Sequence, residues 1–407
     1  MGRSSLIMVI SFNLVFAAIG FNLSKVATDA YDNYIDYYNR TVVRHIATGA
    51  ANMAASQITF NPNWRTGYST TSFGGGSYKA TVADLDSGRI QLVVNSTYNN
   101  KTATSTLVLG LSKFSKFAYY SNIEGAIYWI TGDTVFGPFH TQQKINVSGD
   151  PVFVGKATTK NGIFKSPSSS SPKFLGGYQG GVSINLPSDF SQLSSFAKAG
   201  GKYVYNQDMY LRFNSDGTVT YRYGSWSTAP AYTEPITVFA PNGVLMVDNG
   251  NLHIKGNVKG RLTISATGSS GVAKGNVWVD SSVTYNLNPL INPVSTDMLG
   301  IVCDNDVIVA DNGNNNTPLN GVTIHATILS RSGGLKSENY NTRPVAGTLT
   351  LLGGVQQYQR GPVGTFSRGS ITHGFQKNYR YDDRLMIDSP PLYPTTGSYE
   401  VLSWYEQ

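Results

Sequence analysis

From Ser4 to Ser24 the chain reads SSLIMVISFNLVFAAIGFNLS, with no charged residue. A helix rises 1.5 Å per residue, so about 20 residues cross the hydrocarbon core of a bilayer. The run just reaches that length. Ser11, Asn13 and Asn22 make it less apolar than most spans. Asn13, near mid-membrane, would seek a hydrogen-bond partner, which favours packing against other helices. Arg3 and the amino terminus precede the run and Lys25 follows it. The positive-inside tendency then places the N-terminus in the cytoplasm and exports the rest. A cleaved secretory signal is the rival, but no small-x-small site follows in Phe21-Asn22-Leu23-Ser24-Lys25. The expectation is an inner-membrane anchor in contact with lipid, with the body periplasmic or extracellular.

The helical pattern does not stop at the span. Val26, Ala30, Tyr34, Ile35, Tyr38, Val42, Ile46, Ala50, Met53 and Ala54 recur mostly three and four apart. Such spacing lays one apolar stripe along a helix. Asp29, Asp32 and Asp36 come early and Arg40 and Arg44 late, which permits an i,i+4 pair between Asp36 and Arg40. Asn61-Pro62 ends the helix at the latest. Unbroken from Ser4 to Ser56, it would be roughly 80 Å long and would need a partner along its stripe. Asn13, Ala30, Tyr34, Tyr38, Val42 and Ile46 are the candidate interaction residues. The partner would be the chain's own body, other subunits in a homo-oligomer or filament, or both.

An uncharged span that follows a short glycine-ended leader and runs into a long amphipathic helix resembles the N-terminus of type IV pilin-like proteins. The alanine-rich end His45-Ile46-Ala47-Thr48-Gly49-Ala50-Ala51-Asn52-Met53-Ala54-Ala55 is similar to that of PilX-type minor pilins. Phe117-Ala118-Tyr119-Tyr120-Ser121-Asn122-Ile123-Glu124-Gly125 and Gly137-Pro138-Phe139-His140-Thr141 resemble an uncharacterised exported family that pairs such a helix with a glycine-rich β body. The resemblance implies a membrane-anchored structural or assembly component of a cell-surface filament or secretion system. Processed pilins carry a glutamate five residues after the glycine preceding the cleavage site. With Gly2 as that glycine the position holds Ile7, and no basic leader precedes it. The expectation is therefore an uncleaved anchor of pilin-like build, or a start further upstream.

Beyond residue 60 the pattern turns to strands. Ser77–Val82, Arg89–Val94 and Thr104–Leu109 alternate and are joined by Asp-Ser-Gly and Asn-Asn turns, which predicts a small antiparallel β unit over 61–117. From 118 to 375 short β segments recur between glycines and asparagines, as in Gly243–Val247, Leu252–Ile254 and Arg261–Ile264. Insertions near 160–235 hold a short helix at Ser188–Ala199 and a hairpin turning at Asp216-Gly217. The fold expected is mainly β: a long N-terminal helix followed by a right-handed β-solenoid, with a β-sandwich as the alternative. Residues 376–407, with Pro390, Pro391 and Pro394, read as a C-terminal tail packed on the body.

Little chemistry is legible. Only 14% of residues are charged, against roughly 25% in ordinary domains. The net charge of +7 is spread without a Lys/Arg cluster, which argues against nucleic acid as a partner. Cys303 is the one cysteine, so the chain can form no internal disulfide or cysteine-based metal site. There is no G-x-S-x-G elbow, H-E-x-x-H or phosphate loop. The sequence gives no reason to expect an enzyme, a cofactor or a metal. His45, His140, His253, His325 and His373 are scattered. A tethered glycan-binding module or polysaccharide-acting enzyme is the alternative function. Its candidates are Asp280, Asp304, Asp306 and Asp311 as carboxylates, with Trp129, Trp226, Trp278 and Trp404 as a sugar-binding face. Cys303-Asp304-Asn305-Asp306 also has the look of a weak calcium loop.

Overall fold

The structure is a computed structural model that describes residues 2–86, 88–269, 273–317, 321–367 and 370–407. The protein is mainly β with one long N-terminal helix. It divides into two compact units, one running through Ser112 and joined by Gly397–Gln407, the other Lys113–Thr396.

The first unit is a helix laid on a sheet. Helix α1, Gly2–Phe60, buries Val43, Ile46, Ala47, Ala50, Ala51, Ala54 and Ile58, a stripe at helical spacing. The alanines keep the helix surface low, so the sheet comes close. Strands β1 (Tyr68–Phe73), β2 (Gly76–Asp86), β3 (Arg89–Tyr98) and β4 (Lys101–Lys113) form an antiparallel meander. Their inward positions, among them Tyr78, Ile90, Leu92, Val94 and Leu107, meet the helix stripe in one apolar core. Each such large side chain contributes about 1.5–3 kcal/mol. Ser96 Oγ donates to the helix carbonyl of Val43 at 2.8 Å, and Asn99 Nδ2 to Asn39 Oδ1 at 3.2 Å. The three alternating runs of the sequence fall within β2, β3 and β4. Ser87, the centre of the Asp-Ser-Gly turn, lies outside the described residues.

The chain end departs from expectation. Thr395–Glu406 is not a tail on the body but the fifth strand of this sheet, beside β4. Thr104 N donates to Gln407 O at 3.0 Å, and Gln407 N to Thr104 O at 2.9 Å. Gly110 makes room for Leu402, whose Cδ1 would lie 2.6 Å from a Cβ there. The second unit is thus an insertion between two neighbouring strands of one sheet.

The second unit is dominated by parallel pairing. One row of register partners runs Leu245, Ile264, Ile301, Ile328, Val355, Tyr119, Phe139, Ala157 and Tyr178. A second row runs Leu211, Ile254 and Val279, continuing to Val309 and Ser337. The stretch from Tyr119 to Gly180 adds two short parallel ladders of its own. β-branched and aromatic side chains suit such stacked positions. The antiparallel exceptions are the hairpin Met209–Phe213 with Thr218–Tyr223, its partner Tyr232–Pro235, and the pair Gly364–Ser367 with Ser370–Arg380. The first hairpin turns at Asp216-Gly217, where Gly217 has φ +92°. Helix Ser191–Gly200 buries Leu193 and Ala197 against Val244, Met246, Val302 and Leu329.

Candidate functional site

The first 37 positions of α1 differ from the rest. Residues 2–35, 37 and 38 are all exposed, and only Asp36 is half-buried. At 1.5 Å per residue this exposed stretch spans about 55 Å, well beyond the roughly 30 Å of a hydrocarbon core. The helix is long and apolar enough to cross a membrane, and none of its most apolar window is buried. Asn13 lies in this part and is exposed. After the span come Tyr31, Tyr34 and Tyr37, each 64–71% exposed, with Tyr38 at 50%. Thr28 and Thr41 turn their hydroxyls back to the helix carbonyls of Ser24 (3.0 Å) and Tyr37 (2.9 Å).

The stripe read from the sequence is split by the fold. Ala30, Tyr34 and Tyr38 are exposed, Val42 is half-buried, and Ile46 is buried in the core beneath the sheet. The last two are therefore committed within the chain. Asp36 bonds Arg40 at 2.6 Å, the i,i+4 pair anticipated, and also Lys101 of β4. The Lys101 bond, opposed by desolvation and helped by Arg40, holds the Asp36 carboxyl below its usual range. Sequence spacing alone did not mark where the packed part begins. Asn39 and the run Ala47 to Ala54 were the available signal, since small residues allow close approach.

In the second unit the carboxylates are dispersed to separate partners. Asp304 pairs with Arg331 at 2.7 Å and accepts from Gly268 N, while Asp306 pairs with Lys336 and accepts from Gly334 N. Asp311 accepts from Asn316 and Asn339, which lowers its carboxyl. Among the described residues no three His, Cys, Asp or Glu side chains gather as metal ligands. The Cys303 thiol is buried, and burial pushes its pKa up, so it is no ready nucleophile.

One group of the sequence candidates does converge. Asp280 accepts from Trp226 Nε1 at 2.5 Å and contacts His253 Nδ1 at 3.0 Å. His253 stacks between Tyr210 (ring centroids 4.2 Å apart) and Trp278 (5.7 Å), three register partners of one ladder. Trp129 instead lies in a buried aromatic cluster with Tyr119, Phe139 and Phe153. Trp404 sits on the last strand and donates to Glu406. His140 and His325 are buried, and burial lowers both to about 4. His45 is exposed, and His373 contacts Thr365.

No protein-family model matches the chain, and no curated protein does. Among solved structures it is similar to the competence-associated pilin ComZ from Thermus thermophilus, at 10% identity, with 91% of this chain and 97% of that chain covered and a TM-score of 0.38. A likeness at that level carries no function across.

Proposed function

We propose that this protein is a membrane-anchored, pilin-like subunit that assembles through the exposed part of α1 and displays its β unit outside the inner membrane. The observation that supports it is the division of the helix. Residues 39–58 pack on the chain's own sheet, while residues 2–38 carry an apolar and aromatic surface longer than a bilayer needs. A helix with that much unpaired surface is stabilised by neighbouring helices. In this reading the N-terminus is cytoplasmic and the partners are like subunits of a filament or secretion assembly. In this reading the inserted unit is a β-solenoid, supported by parallel pairing between strands two apart in sequence, as in Val244–Asp248 with Arg261–Thr267 and Leu252–Val258 with Val277–Tyr285. The role is structural and not catalytic.

The test is crosslinking of intact membranes. Ala30→Glu with Tyr34→Glu places charge on exposed helix positions without touching the packed core. The variant should lose crosslinked high-mass species yet remain in the membrane fraction with a protease-resistant body. An unchanged crosslinking ladder would overturn the proposal.

A second reading, a tethered module for neutral surface glycans, is supported by the Tyr210–His253–Trp278 stack beside Asp280. Loss of oligosaccharide retention in Tyr210→Ala would favour it.

A further inference from the structure

A cavity of about 380 Å³ opens in the second unit where its longest row of paired strands divides. Strand Val345–Gln359 pairs along its first half with Ser370–Arg380 and along its second half with Tyr119–Ile123. Two strands cannot occupy the same side of a third at one level, so they diverge. A hollow remains between the end of one and the start of the other. Open sheets bind ligands at such divergences, because strand ends leave a crevice that no side chain fills.

The walls are chemically specific. Tyr119, Phe136 and Tyr379 provide aromatic surface, and Phe136 is 57% exposed. Arg360 lies over the Trp129 ring at 4.6 Å and faces the buried Glu124 across 3.7 Å, longer than a hydrogen bond. Arg360 Nη1 and Trp129 Nε1 are buried donors with no hydrogen-bond partner among the described residues. Glu124 Oε2 is likewise without a hydrogen-bond partner, and buried polar groups left so call for an explanation, of which an acceptor in the cavity is one. Lys377 also lines the hollow, with its amine 5.9 Å from the Tyr379 ring centre, and has no ion pair within 4.0 Å among the described residues. Asp133, whose Oδ2 accepts from Ile130 N, and Asn378 line the same space.

Two cations and two carboxylates share this region: Glu124 opposes Arg360, and Asp133 acts on both cations, yet among the described residues no carboxylate lies within 4.0 Å of Lys377. That unpaired amine selects the occupant. Desolvation first, and Arg360 second, lower the Lys377 amine to about 7, so a nearby anion would relieve it. Asp133 and Asn378 can take vicinal hydroxyls, and aromatic walls suit the C–H faces of a pyranose. We infer that this cavity binds a monosaccharide-sized carboxylate, a uronic acid, with its carboxylate toward Lys377 and Arg360 and its ring against Phe136 and Tyr379. The inference does not depend on helix-mediated assembly.

The test is calorimetric titration of the full chain in detergent with glucuronate and galacturonate, with glucose and galactose as neutral controls. At least one uronate should bind, and at least tenfold more tightly than its neutral counterpart. Lys377→Met should weaken it at least tenfold, and Phe136→Ala should weaken it severalfold, while the melting temperature of each variant holds. No uronate binding to the wild type up to 10 mM, roughly the weak end of ligand affinities, would overturn the inference. So would equal binding of neutral sugars, or undiminished binding by folded Lys377→Met protein.

Discussion

Val355 and Tyr119 are register partners in a parallel ladder, although most of the second unit lies between them in sequence. The chain enters its stack in the middle. It builds outward from Tyr119 through Phe139 and Ala157, then returns from the other side through Leu245, Ile264, Ile301 and Ile328 to close on Val355. Closure needs close backbone approach just before Val355. Gly353 has φ +148°, and a Cβ there would sit 1.9 Å from Ala326 O. Gly353→Val should therefore destabilise this unit by about 3 kcal/mol or more, through backbone strain and a clash that backbone cannot relieve. Thermal unfolding followed by circular dichroism measures it, and a melting temperature within 2 °C of wild type would contradict the account at roughly the size expected for a surface change.

Arg343 offers a second test. It is 1% exposed and donates to Val309 O at 3.1 Å, Ala310 O at 3.2 Å and Ser337 Oγ at 2.6 Å, with its guanidinium over the Phe375 ring. Removing one partner of a buried polar network leaves the others desolvated and unpaired. Arg343→Met should cost about 3–5 kcal/mol in urea unfolding. Arg343→Lys should recover little, because an ammonium lacks the planar fork of donors.

Acid should weaken the second unit in a defined window. His140 contacts Thr158 Oγ1, and His325 Nδ1 accepts from Tyr285 N, so both rings are built in as neutral groups. Burial lowers both to about 4, whereas unfolded histidine titrates near 6.5. Between those values the unfolded chain takes up protons that the folded chain refuses. The stabilising contribution is complete above about pH 6.5 and is lost as pH falls through about 4. Each ring accounts for on the order of 2–3 kcal/mol at the low end. The melting temperature should fall between pH 7 and 4.5, and less steeply in His325→Gln. Aspartates with lowered carboxyls, such as Asp388, act below that window. An identical slope in wild type and variant would remove His325 from the explanation.

These features were unequally legible in the sequence. The helix and strands β2 to β4 declared themselves because their periodicity is local and their turns are marked. The hairpin at Asp216-Gly217 did so for the same reason. The last strand did not, because Thr395–Glu406 pairs with β4 from far back in the chain and the prolines just before it, Pro390, Pro391 and Pro394, suggested a tail. The cavity was equally hidden. Its walls come from Tyr119, from Trp129 to Phe136, from Leu335 and from Val355 to Tyr379, and the parallel pairing brings them together. Asp280 and Trp226 were named separately, but nothing local predicted that they would bond.

The split helix stripe gives the last prediction. Tyr34 and Ile46 lie on one continuous apolar spacing, yet Tyr34 is 65% exposed and Ile46 is 2% exposed. Ile46 sits among Ala50, Tyr78 and the β3 side chains, and its Cδ1 would lie 2.9 Å from a Cβ at Gly76. A carboxylate at position 46 would be buried without a cation, a cost of several kcal/mol. A carboxylate at position 34 would meet only water in the isolated chain. Ile46→Glu should therefore unfold the helix-and-sheet unit, seen as rapid proteolysis within β2 to β4. Tyr34→Glu should leave the proteolysis pattern and melting temperature unchanged and act only on crosslinked species in membranes. If Tyr34→Glu instead accelerated proteolysis of the sheet, position 34 would be packing within the chain, and the exposed half of α1 would not be an assembly surface.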